Sequence, residues 1–238
     1  MPTVSDATAR IRRRRRGSTR RTVLTAVVGL LVLALVVTGV WLVGFSSVMA
    51  VSRVAVTGTT VLSEDQVREA AAVSTGAPLA GVDLDAVEQR VAELPPVSEV
   101  RVRRSWPDTI TITVTERTPV FAVKQNHGEG HLLVDAEGIA YTEVTEVPDD
   151  LLVATAADAD LLGDIATVIA DLTPKLRRQV TAISAETRDS ITLELSKDRT
   201  VIWGSAERGD LKASVLEVLL SEKGSVYNVS APEQPAVR

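Results

Sequence analysis

The sequence predicts an α+β protein: a single transmembrane helix, then a βααββ unit, then a mainly antiparallel sheet with helices packed on it. Three observations carry this reading. Thr22 to Phe45 is an unbroken apolar run without a charged residue. Short apolar–polar alternations, the period of a half-buried strand, recur from Val54 onward. Between them lie stretches whose apolar residues repeat every three or four positions, which marks a helix with one buried face.

The apolar run comes first. As a helix its 24 residues rise roughly 36 Å, enough to cross a hydrocarbon core of about 30 Å with some tilt. Trp41 near its end suits a membrane interface. Before it stand Arg10, Arg12 to Arg16, Arg20 and Arg21, eight positive charges against Asp6. Short basic flanks stay in the cytoplasm. The expectation is a cytoplasmic tail (1–21), a transmembrane helix (22–45) and an extracytoplasmic body, in a single-pass protein of the plasma (inner) membrane. A cleaved signal peptide fits less well, because its apolar core is only about 7–15 residues, although Val48-Met49-Ala50 has cleavage-site character. Thr19-Arg20-Arg21-Thr22-Val23-Leu24 looks like a twin-arginine export signal. The run behind it is strongly hydrophobic, however, and a pair of adjacent arginines is unsurprising among eight.

The net charge of −5 hides two opposite halves: beyond residue 45 there are 18 basic and 30 acidic side chains, a balance of −12. An acidic body does not suit nucleic acid, whose phosphates need a basic surface. With no cysteine in the chain, disulfides and thiolate chemistry are excluded. An exported body must then be held by its core, and with two Phe, two Tyr and three Trp that core is aliphatic.

The first soluble unit is read over 48–116. Val54 and Val56 alternate with polar neighbours and stop at Gly58. Ser63-Glu64-Asp65-Gln66 is a capping box opening a helix that buries Val67, Ala70, Ala71 and Val73. Asp83 caps a second helix with Leu84, Val87, Val91 and Leu94 on one stripe, ended by Pro95-Pro96. Two strands follow, Val100 and Val102, then Ile110, Ile112 and Val114, joined by a turn at Trp106-Pro107-Asp108.

The second unit is read over 117–232, with a tail at 233–238. It has a strand around Val120 to Lys124, then Leu132 to Val134 and Ile139 to Tyr141 about an Asp135-Ala136-Glu137-Gly138 turn. Leu161, Leu162, Ile165, Val168, Ile169 and Leu172 form the clearest amphipathic helix, and three strands follow around Val180–Ala185, Ile191–Leu195 and Thr200–Trp203. Ser205 is read as the cap of a last helix carrying Leu211, Val215, Val218 and Leu219, before a final strand from Val226 to Ala231.

Catalytic chemistry finds little support. There is no nucleophile elbow and no phosphate-cradling glycine loop. Asp149-Asp150 and Asp158 with Asp160 read as solvated loop acids rather than a facing carboxylate pair. His127 and His131 with Glu129 invite a metal, but Gly128 and Gly130 disfavour the helix that would align two histidines, and no third histidine completes a shell. No cofactor is expected. The turn residues Arg104, Trp106 and Pro107 read as fold maintenance, with Trp106 covering an open core edge, or as a recruitment surface. Glu116 and Arg117 read as an ion pair that sets an interdomain angle. The final strand is the best interaction candidate. A strand near a chain terminus often forms a sheet edge whose free N–H and C=O groups accept an extended partner; the alternative is an ordinary strand closing the sheet.

The chain resembles the bacterial cell-division family FtsQ/DivIB. The resemblance rests on Val54-Ala55-Val56-Thr57-Gly58, Gly81-Val82-Asp83, Leu94-Pro95-Pro96-Val97, Arg104-Ser105-Trp106-Pro107-Asp108-Thr109-Ile110 and Glu116-Arg117-Thr118-Pro119. Val134 to Gly138, Trp203-Gly204 and Tyr227-Asn228-Val229-Ser230-Ala231-Pro232 agree in order and spacing, with Asn228 where the family pattern leads one to expect aspartate. The resemblance implies a membrane-proximal POTRA domain followed by a β domain, at the division septum. It implies a non-enzymatic divisome scaffold linking FtsB/DivIC-like and FtsL-like single-pass proteins to the septal peptidoglycan synthase complex. The partner site it implies lies at Ser225, Val226, Tyr227, Asn228, Val229 and Ser230, with Trp203 and Lys212 beside it, and a proline at Val229 is expected to abolish binding by removing a ladder donor. The rival readings are a membrane-anchored cell-wall enzyme and a POTRA-type envelope biogenesis or secretion component.

Overall fold

The computed structural model describes residues 21, 23–39, 41, 47–125 and 130–238. The basic tail up to residue 20 and the loop residues His127 and Glu129 lie outside the described residues. A helix, α1, occupies residues 23–39, and its leucines and valines are exposed on every side. Among the described residues no helix is long and apolar enough to cross a membrane.

The remainder forms two compact units. In the first, β1 (Arg53–Thr57) is followed by helices α2 (Glu64–Ala71) and α3 (Leu84–Ala92), then β2 (Val97–Ser105) and β3 (Thr109–Glu116), with residues 60–62, 92–99 and 115–116 at the ends of these elements belonging to the second unit. The sheet order is β1-β3-β2, with β1 parallel to β3 so that Val54 lies opposite Ile110 and Val56 opposite Ile112. A parallel pair needs a crossover, and α2 and α3 supply it. The capping box forms as read: Gln66 N–H donates to Ser63 Oγ at 3.2 Å, and Ser63 N–H donates to Gln66 Oε1 at 2.9 Å. Asp83 Oδ1 accepts from Ala86 N–H at 3.1 Å at the start of α3. Val56, Val67, Ala71, Val87, Val91, Ile110, Ile112 and Val114 are buried, so the helical stripes and strand alternations face one core.

The second unit carries a nine-stranded sheet in the order β12-β11-β10-β9-β8-β7-β4-β5-β6. Its strands are β4 (Phe121–Lys124), β5 (His131–Val134), β6 (Ala140–Val144), β7 (Leu152–Ala156), β8 (Val180–Ala185), β9 (Ile191–Leu195), β10 (Arg199–Gly204), β11 (Val226–Asn228) and β12 (Ala236–Val237). Most pairings are antiparallel, but β4–β7, β7–β8 and β10–β11 are parallel. Helices α4 (Leu162–Asp171) and α5 (Pro174–Arg177) cross from β7 to β8, and α6 (Gly209–Leu219) crosses from β10 to β11. One cluster joins Ile165, Val168 and Ile169 of α4 and Leu216 of α6 with Phe121, Leu193, Val201, Trp203 and Tyr227 of the sheet.

Several expectations need correction. Strand β7 and helix α5 stand where the sequence reading places no element. Ser205 is not the cap of α6, which begins at Gly209 behind Arg208 in the left-handed region (φ 56°), with no side-chain cap. The last predicted strand stops at Asn228, and the tail returns as β12.

Gly58 shows how tightly the first unit closes. Its φ is +87°, and a Cβ placed there would stand 2.0 Å from the carbonyl oxygen of Val114. Gly58→Ala is expected to destabilise this unit by about 1–3 kcal/mol from backbone strain alone, with the clash adding to it. Urea unfolding of the chain should show an early transition that the parent lacks.

Candidate functional site: the β11 edge

Strand β11 lies between β10 and the two-residue β12. On its inner side it runs parallel to β10, with Thr200 opposite Val226 and Ile202 opposite Asn228. Thr200 N–H donates to Ser225 O at 2.8 Å, and Val229 N–H donates to Ile202 O at 3.0 Å. On its outer side Tyr227 faces Val237 and Asn228 faces Ala236 in antiparallel register. Val226 N–H donates to Arg238 O at 3.0 Å, and Arg238 N–H returns a bond to Val226 O at 2.9 Å. Strand alternation then sorts the side chains. Tyr227 and Val229 are buried, whereas Ser225 and Ser230 are exposed and Val226 and Asn228 half-buried. Tyr227 turns its hydroxyl to the carbonyls of Glu222 and Gly224, both at 3.0 Å, which fixes the approach to the strand. Asn228 Oδ1 accepts from Ser230 N–H at 3.0 Å and from Ser230 Oγ at 2.8 Å, a local turn that ends β11. An acceptor oxygen is what the position needs, so asparagine serves where aspartate was expected.

This arrangement brings Ser225 to Ser230 together on one strand but alters three readings. The edge is not bare, because β12 sits on it. Val229 donates inward to β10, so a proline there would injure the sheet rather than a partner ladder. Trp203 and Lys212 are 0 % and 1 % exposed, which removes both side chains from any direct contact. Lys212 Nζ donates to Ser205 O at 2.8 Å and lies 5.9 Å from the centre of the Trp203 ring. Burial, with Arg208 nearby, pushes the Lys212 ammonium below its ordinary value. The pair anchors the turn into α6 from within.

The turn residues of the first unit are likewise divided. Arg104 Nε donates to Leu79 O at 3.0 Å and Nη2 to Val82 O at 2.5 Å, so its guanidinium ties down the chain between α2 and α3. Trp106, joined to Pro107 by a cis peptide bond, is 52 % exposed and does not cover the core. Beside it Asp108 accepts from the hydroxyls of Ser52 and Thr109, bonds that hold its carboxyl below the usual range.

Glu116 and Arg117 do not pair with each other. Glu116 accepts from Val61 N–H at 2.9 Å and Leu62 N–H at 2.8 Å. Burial pushes its carboxyl up, but these and neighbouring hydrogen bonds outweigh it and leave the value lowered. Arg117 instead forms an ion pair with Asp135, whose side chain is 3 % exposed against 16 % for the arginine. Arg117 Nε also reaches Pro95 O at 3.2 Å, and Asp135 Oδ1 accepts from Ile139 N–H at 2.8 Å and Glu137 N–H at 3.1 Å. Burial raises the Asp135 carboxyl, and the Ile139 amide and Arg117 bring it down below its ordinary value.

The sequence matches known proteins over both units. Residues 49–117 match the family described as POTRA domain, FtsQ-type, and residues 122–231 match Cell division protein FtsQ/DivIB, C-terminal. A curated relative named Cell division protein FtsQ from Streptomyces bingchenggensis is 41 % identical over 240 residues, covering 95 % of this chain and 89 % of that protein. The protein of the same name from Streptomyces coelicolor is 38 % identical over 251 residues, covering 98 % and 93 %. The chain belongs to the FtsQ/DivIB cell-division family. A solved extracytoplasmic domain of DivIB from Geobacillus stearothermophilus is 15 % identical with a TM-score of 0.34, over 42 % of this chain and 87 % of that one, too faint a likeness to weigh. The matched C-terminal region contains β11 but ends before β12.

Asp135→Asn should cost about 3–5 kcal/mol at neutral pH by leaving the Arg117 charge buried without its partner. Since the Asp135 and Glu116 carboxyls are lowered in the fold, their stabilisation is complete above the unfolded-state values near pH 4. It is lost as pH falls through the depressed folded values. Chemical unfolding of parent and variant at neutral and acid pH should therefore show a difference that shrinks in acid.

Proposed function

We propose that this member of the family is a non-enzymatic scaffold of the divisome. In this reading the apolar run 22–45 anchors it in the plasma membrane with the arginine-rich tail in the cytoplasm. The second unit receives FtsB/DivIC-like and FtsL-like single-pass proteins and thereby controls the septal peptidoglycan synthase complex. The observation that carries the partner site is the outer side of β11. Its backbone groups at Val226 and Asn228 point away from β10, and only the two-residue β12 with Arg238 beyond it covers them. Main-chain hydrogen bonds of an added strand supply affinity there, and alternate side chains set register.

The anchor is supported by composition and by α1, whose exposed leucines and valines have no partner surface among the described residues. A helix apolar all round is suited to lipid. The half-exposed Trp106 is kept as a contact surface of the first unit, with Arg104 and Pro107 holding the turn that presents it.

A functional fluorescent fusion of the full chain in its dividing host is expected to form a band at nascent septa. An even envelope signal throughout the cell cycle would overturn the reading in favour of a wall enzyme or a biogenesis component. A photoreactive side chain at the exposed Ser225 is expected to capture single-pass division proteins, identified by mass. Val226→Pro removes an outward donor, leaves the β10 ladder intact and should reduce that capture at least tenfold. Undiminished capture by this variant would exclude the β11 edge.

A further inference from the structure

The segment seated on β11 is held lightly. β12 contributes two residues, and beyond it Ser225 N–H and Val226 N–H both donate to Arg238 O, at 2.7 and 3.0 Å. Upstream the segment is fastened by an ion pair between Arg208 and Glu233, with side chains 52 % and 62 % exposed, where solvent and salt weaken such pairs. Residues 233–236 are exposed, and Val237 alone turns inward, opposite Tyr227. Gly224 makes room for it: a Cβ there would stand 2.3 Å from Val237 Cγ1 and 2.9 Å from Arg238 O.

We propose that residues 233–238 are a guard strand. They occupy the outer edge of β11 in antiparallel register until a partner segment displaces them. This rests on the reading that the β11 edge is where partners bind. Physical necessity supplies the motive, since an unpaired edge is a template for unwanted pairing and very short covering strands are one way to blunt it. The guard also describes its replacement. The displacing segment is extended and antiparallel, hydrogen-bonds to Val226 and Asn228, and sets a small branched apolar side chain opposite Tyr227. A small and a charged residue flank that position on the solvent face, as Ala236 and Arg238 do in the guard. A longer segment of this kind gains ladder bonds beyond the three positions, Val226 to Asn228, that residues 236–238 fill.

The cost to the partner follows from population. Its apparent affinity is reduced by the fraction of time the edge is open, so a guard that is open about a tenth of the time weakens binding about tenfold.

Two variants of the full chain test this in isolated membranes of dividing cells, with capture at Ser225 as the readout. One lacks residues 233–238. The other carries Asn228→Cys with Ala236→Cys, an opposed pair whose Cα separation of about 4.5–5.5 Å in an antiparallel ladder suits a disulfide. The parent has no cysteine to interfere. The disulfide should form without denaturant, and locked membranes should capture division proteins at least tenfold less than the Asn228→Cys single variant, which sets the baseline for the altered site residue. Reductant should bring the double variant to that baseline, and the shortened chain should exceed the parent. Failure of the disulfide to form would show that the tail does not sit on β11 and would end the proposal. Equal capture by locked and reduced chains would overturn the guard while leaving the scaffold reading intact, with β12 itself or another surface as receiver. Absence of capture from the parent and both variants would instead bring down the β11 partner site, and the guard with it.

Discussion

A carboxylate buried at Asp135 constrains much of the second unit. Removed from water, its charge requires donors on every open side, and the chain supplies them from separate places: the Arg117 guanidinium and the backbone N–H groups of Glu137 and Ile139. The first donor brings along the carbonyls of Pro95 and Pro96, which accept from Arg117 Nε and Arg117 N–H. The other two fold the turn between β5 and β6. Tyr141 closes the arrangement by donating its hydroxyl to Arg117 O at 3.3 Å. A charge pair of this kind adds little net stability over an apolar replacement, but it tolerates no missing member.

The sheet that grows from this point reconciles two demands. Its core is aliphatic, with Phe121, Trp203 and Tyr227 as its few fully buried aromatic side chains, and it has no disulfide to lean on. Parallel pairings at β7–β8 and β10–β11 place crossover helices over the buried face, where α4 and α6 bring most of the aliphatic mass. The ends of the sheet are the remaining difficulty, and at one end the chain answers by folding its own tail back as β12.

Much of this was legible in the residues. The capping box at Ser63, the Asp83 cap and the stripes of α2, α3 and α4 are local signals with local causes, and they appear where the periodicity places them. Strand β7 escaped because Leu152-Val153-Ala154-Thr155-Ala156 has alanines at the inward positions, so its apolar alternation is weak even though Pro148-Asp149-Asp150 turn the chain before it. Helix α5 is a single turn behind Thr173, shorter than any period can reveal. At the candidate site, the strand 225–230 was visible from its sequence, but its pairing was not. Register is set by partners far along the chain, so nothing in Val229 itself tells that its N–H faces Ile202. The burial of Trp203 and Lys212 is hidden for the same reason, since a lysine ordinarily signals surface. The Arg117–Asp135 pair was missed because adjacency in sequence suggested Glu116, while the true partner is 18 positions away.

The parallel junction of β10 with β11 also sets an order of events. Neighbouring antiparallel strands such as β8, β9 and β10 close through short loops, whereas β11 can dock only after α6 has crossed and packed, with β12 following. Contacts that need such a detour form late, after the loop-closure entropy has been met. The edge at β11 is thus complete only when α6 and the strands before it are in place. If partners are received at β11 as proposed, such an edge acts as its own inspection step: a copy with an unfinished sheet has no edge with which to enlist others.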